Sequence, residues 1–117
     1  MQLAWQQCQG NVWGPFLTVD LAHAHFNSME GVYVIWEGNG RVIRVGQGKV
    51  KDRLAAHRRD QAITAYNNLY TTWAPVISQY RDGVERYLAN VLKPLVGDAF
   101  PNAQPIAVNL PWPWQSI

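Results

Sequence analysis

The sequence predicts a small α/β domain of the α+β kind, with a three-stranded antiparallel or mixed sheet flanked by helices. Three observations carry this. Two β-branched and aromatic runs, GVYVIW (31–36) and RVIRVG (41–46), bracket Asn39-Gly40, a pair that readily takes positive φ and so favours a hairpin turn. Farther on, Val84, Tyr87, Leu88, Val91, Leu92 and Leu95 recur at helical spacing and trace one apolar stripe. At 117 residues the chain holds one core and is too short for two, so 1–117 reads as a single domain.

Taken in order, residues 1–30 form a lead-in, irregular to about residue 17, in which Asp20 is placed to cap a short helix, LAHAHF, ending near Asn27. The core spans about 31–96. In the hairpin, a tight turn on Asn39-Gly40 sets Ile35 opposite Arg44 and Tyr33 opposite Gly46, and a four-residue loop sets Tyr33 opposite Arg44. The two registers differ by an even step, so both keep Tyr33, Ile35, Arg44 and Gly46 on one face. From about 49 to 59, Val50, Arg53, Leu54 and His57 recur at i, i+3, i+4 and i+7, which puts Arg53 and His57 on the apolar face of a helix; Arg58 and Arg59 point elsewhere. LYTTWA (69–74) reads as a third strand stopped by Pro75. The last helix begins at DGVERYL with Asp82 as its cap, carries Glu85 at the edge of its stripe, and ends or bends at Pro94. Residues 97–117 form a Pro/Trp-rich tail, with a short strand expected in its first half.

Composition limits the function classes. Hydrophobic residues make up 48% and charged residues 15%, which marks a folded globular chain. The longest apolar run, VYVIW, is too short to span a membrane. Neither a basic start nor an apolar leader opens the sequence, and Cys8 is single, excluding an internal disulfide and a cysteine-based zinc site; a reducing cytoplasm fits best. Net charge is only +2, yet seven of the ten Lys and Arg residues lie between Arg41 and Arg59, opposed there by Asp52 alone. Clustering of this kind is either a solvated face or a phosphate-binding one.

Familiar phosphate motifs do not fit that stretch. In VGQGKV the third glycine of a dinucleotide fingerprint would fall at Lys51, and a phosphate loop would need a glycine at Ile43 and a hydroxyl at Val50. His23 and His25, two apart on a helix, diverge and have no third ligand near them.

Gly31-Val32-Tyr33, then Arg44-Val45-Gly46, then Arg53-Leu54-Ala55-Ala56-His57, then Glu85-Arg86-Tyr87-Leu88 through Pro94, form an ordered set. In this order the sequence resembles the GIY-YIG nuclease domain family, over roughly residues 31–96. The resemblance implies an endonuclease that hydrolyses DNA phosphodiester bonds with one divalent metal, Mg²⁺ or Mn²⁺. By that likeness Glu85 holds the metal, Arg53 neutralises charge on the scissile phosphate, and Tyr33 with His57 activates water. The chemistry is consistent, since a hard cation accepts one carboxylate plus water and phosphate oxygens, and an arginine fork matches phosphate. Tyrosine, with an ordinary pKa near 10, needs nearby positive charge to act as a base, which Arg44, Arg53 and the metal would supply. Arg41, Arg44, Lys49, Lys51, Arg58 and Arg59 are the expected DNA contacts. The sequence departs from the family twice: Arg44 stands where the second tripeptide usually has tyrosine, and Gly97 where asparagine is common, with Asn102 and Asn109 as possible stand-ins. Two rival readings follow, a nucleic-acid-binding module without turnover and a protein-interaction domain using Trp112 and Trp114.

Overall fold

The computed structural model describes residues 1–97 and 99–111, so the expected role of Trp112 and Trp114 lies outside the described residues. Strands β1 (Gly14–Pro15), β2 (Glu30–Glu37), β3 (Val42–Lys49) and β4 (Leu69–Pro75) form one antiparallel sheet in the order β1-β4-β2-β3. The sheet therefore has four strands rather than the expected three. The extra strand is two residues long and contains a proline, tolerable only at a sheet edge, and it pairs Gly14 with Thr71. Among the described residues three α-helices pack on the sheet: α1 (Val50–His57), α2 (Gln61–Thr64) and α3 (Ser78–Leu92).

The central pair β2–β3 sets Tyr33 opposite Gly46 and Ile35 opposite Arg44, as a tight turn would. The route to that register is different. Glu37 N–H donates to Arg41 O at 2.9 Å, leaving a three-residue connection, Gly38 to Gly40. A bulge then places both Ile43 and Arg44 across from Ile35 and restores the pairing. Without it the odd-residue loop would have turned Arg44 to the other face.

Each sheet face buries its own core. Tyr33, Ile35, Ile43 and Trp73 pack with Val50 and Leu54 of α1 and Ile63 of α2. Val32, Val34, Val45 and Ala74 pack with Val84 and Leu88 of α3. α1 is one residue shorter at its start than expected, and its apolar stripe Val50, Leu54 and His57 is buried. α3 begins at Ser78, four residues before the expected start, on an Ile77 cap that offers no side-chain oxygen. Asp82 is therefore inside the helix and does not cap it. The helix ends at Leu92, where Lys93 turns left-handed and Pro94 cannot continue it. Val91 and Leu95, assigned to the stripe from spacing, are exposed.

The expected helix 21–26 is only a 3-10 turn at Ala24–Phe26. His23 caps it by accepting from His25 N–H, and Asp20 bonds Ala22 N–H at 3.0 Å instead. Past α3, Leu95 and Val96 donate to Val42 O and Ile43 O and run along the outer edge of β3. Residues 99–111 contain no strand among the described residues. Asn109 joins them to the lead-in, accepting from Leu3 N–H at 2.6 Å and donating to Leu3 O at 3.1 Å. Among the described residues no helix is long and apolar enough to cross a membrane.

Candidate active site

Tyr33 points from β2 across β3, where its hydroxyl lies directly over Gly46; a Cβ at position 46 would overlap that oxygen. Glycine is thus required there by close approach. Tyr33 Oη lies 2.6 Å from His57 Nε2, which α1 presents from its last turn. Burial, with Arg44 and Arg53 adding to it, lowers the His57 pKa to about 4. The imidazole is therefore neutral near pH 7, and in its Nδ1–H tautomer Nε2 is free to accept from the Tyr33 hydroxyl.

Tyr33 feels the two expected arginines. Arg53 and Arg44 do act on its hydroxyl and favour the phenolate, but burial outweighs them, so the pKa is held above 10. Tyr33 is therefore a neutral phenol in the free protein near pH 7 and not a resident anion.

Glu85 enters from the opposite face. α3 packs behind the sheet, and Glu85 reaches the β3 edge, where Arg44 and Arg53 both act on its carboxylate. Burial, aided by the nearby Asp82, raises its pKa, while Gln47 and the two arginines oppose the rise. The site thus straddles edge strand β3. Gly46 and Gly48 alternate with Arg44 along that strand and leave its α1 face without side chains between them.

Tyr33, His57, Glu85, Arg44 and Arg53 are therefore brought into one electrostatic cluster. Tyr33, His57 and Glu85 are buried at 0%, 8% and 6% exposure, so they lie beneath the surface, with Arg53 exposed and Arg44 partly so. Other expected contacts lie apart from the cluster. Arg41 pairs with Glu37 at 2.9 Å and lies over the Tyr66 ring. Arg58 donates to Phe16 O and Val19 O, tying the lead-in to α1. Arg59 is exposed, and Lys49 and Lys51 line a cavity of about 340 Å³ with Asn27, Ser28, Glu30 and Asp52.

Gln47 and Asp82 were missed in the sequence. Gln47 Nε2 donates to Asp82 Oδ1, and Asp82 lies one turn before Glu85. Strand parity carries the signal for Gln47, because it shares a face with Val45, toward the helix that bears Glu85. Nothing in the sequence separates Asp82 in the helix from Asp82 at its start. Of the two expected stand-ins for the family's asparagine, Asn109 is committed to Leu3 through both ends of its amide, and Asn102 is exposed.

The side chains near Glu85 carry oxygen donors, the type a hard divalent cation takes. Glu85 is buried and Asp82, one helical turn before it, is exposed and accepts from Gln47, so the nearby side chains offer carboxylate and amide oxygens. Among the described residues no group of three or more His, Cys, Asp and Glu side chains is placed to hold a metal, so water and substrate would complete the shell. No family model, no curated protein and no solved structure matches this chain.

Proposed function

We propose that the chain is a metal-dependent endonuclease of the GIY-YIG type, hydrolysing DNA phosphodiester bonds. The observation that carries this reading is the buried Tyr33–His57 hydrogen bond set between two arginines and a carboxylate. Arg53, the exposed member, receives the scissile phosphate with its planar fork. The phosphate's negative charge offsets the arginines that hold His57 down, so imidazole basicity rises when substrate is bound. Water then gives a proton to Tyr33 Oη while Tyr33 passes its own to His57 Nε2. The water oxygen forms its bond to phosphorus as the bond to the leaving oxygen breaks. Glu85, with Asp82 beside it, would hold Mg²⁺ or Mn²⁺, which supplies Lewis-acid stabilisation of charge on the phosphate when bound.

A nucleic-acid-binding module without turnover is the second reading, and the full burial of Tyr33 favours it. Cleavage of supercoiled DNA with Mn²⁺ or Mg²⁺ separates the two. Glu85→Gln keeps shape but removes the charge, and is expected to reduce cleavage ~100-fold or more while DNA binding persists. Undiminished cleavage by the variant would overturn the assignment of Glu85. Salt-sensitive binding with no cleavage by the wild type under either metal would select the second reading.

A further inference from the structure

The two departures from the family pattern touch each other. A Cβ at Gly97 would overlap Arg44 Nη1, and Gly97 has φ +110, so the arginine's seat requires glycine on both counts. Phe100 closes the other side, its ring centroid 5.9 Å from Arg44 Cζ. The seat is fixed by backbone bonds, since Leu95 and Val96 are hydrogen-bonded to Val42 O and Ile43 O beside the bulge.

Among the described residues this well-held guanidinium forms no ion pair within salt-bridge distance. The ion pairs among the described residues are Arg41–Glu37 and Arg81–Glu30, and Arg44 is in neither. Its Nε is buried without a hydrogen-bond partner. A buried N–H left without a partner is costly, and an anion would complete it. Arg44 and Arg53 both reach the Tyr33 hydroxyl, so an anion held by the two would sit against the Tyr33–His57 pair, whose atoms are 2.6 Å apart.

We infer that Arg44, seated between Gly97 and Phe100, is a second phosphate-binding residue that closes a two-arginine clamp with Arg53 over the Tyr33 hydroxyl. The inference rests on the nuclease reading for the identity of the anion, a DNA phosphodiester. The clamp itself is a property of the free protein and is tested without turnover.

Inorganic phosphate titrated into the isotope-labelled protein, followed by NMR, is the direct test. A saturable shift of the Arg44 Nε–H, with Phe100 and Gly97 amides moving on the same curve, is expected. Arg44→Gln should weaken phosphate by about tenfold or more, the value of a lost charged hydrogen-bond pair. Arg44→Lys should restore only part of this, because it keeps the charge but loses the fork. Gly97→Ala should weaken phosphate similarly by displacing the guanidinium; the wild-type Nε–H signal decides the matter if that variant does not fold. A silent Arg44 Nε–H, or equal phosphate affinity in Arg44→Gln, overturns the inference. Phosphate at Arg44 in a protein that cleaves no DNA leaves the clamp standing and removes the nuclease reading; DNA cleavage with Arg44 silent does the reverse.

Discussion

His57 is held neutral by its surroundings, and that has a measurable sign. Its folded pKa of about 4 lies below the ordinary 6.5, so between those values the unfolded chain binds a proton that the folded protein refuses. Stability that is fully present above pH 6.5 is therefore lost as pH falls toward 4, with a slope approaching about 1.4 kcal/mol per pH unit at most. Glu85, whose folded pKa is raised, works in the opposite direction above its unfolded value, so the two partly offset each other. Denaturant unfolding of wild type and His57→Gln across pH 4–7 should show a steeper loss of stability in acid for the wild type. Equal slopes would mean that position 57 does not carry the effect. At this scale the sequence was informative about which residues meet. Both expected turns put Tyr33 and Gly46 on one face, and the odd loop that forms keeps them there only through its bulge. The sequence was uninformative about protonation, because whether burial or the arginines prevail at Tyr33 depends on depth, which no spacing encodes.

Among the elements, β3 and α1 do most to build the site. β3 carries Arg44, Gly46 and Gln47, and α1 follows without a break to deliver Arg53 and His57. The alternation and the helical period made both visible, and the β4 run ending at Pro75 was equally clear. β1 left no signal because two residues ending in proline have neither pattern nor propensity. The start of α3 was misplaced because Ile77 caps it without a side-chain hydrogen bond, and Asp82 offered a more conventional cap than the one used. Lys49 and Lys51 flank the first residue of α1 and are exposed. In the nuclease reading, Lys49→Ala with Lys51→Ala should weaken DNA binding evenly across sequences and reduce the salt slope by about two. An unchanged slope would take the DNA path away from this end of the helix.

For the whole molecule, the sheet divides two cores, and the site lies at the edge strand where helices from both faces can reach it. The contacts between lead-in and tail join positions 106 apart, a separation no local pattern reports. Asn109 joins the two segments through both ends of its amide and through its carbonyl, which accepts from Trp5 Nε1 at 2.9 Å. Such a clip has a kinetic consequence. Contacts of this range close only after the sheet has brought both segments near, since the ordering cost precedes the gain. Asn109→Ala should therefore leave the refolding rate nearly unchanged and accelerate unfolding, by an amount matching the loss of about 1–3 kcal/mol. Stopped-flow measurement of both chevron arms tests this, and a slowed folding arm would place the clip in the folding nucleus. The molecule would then come apart first at the seam where its two outer segments meet, while the hairpin bearing Tyr33 and Arg44 is still paired.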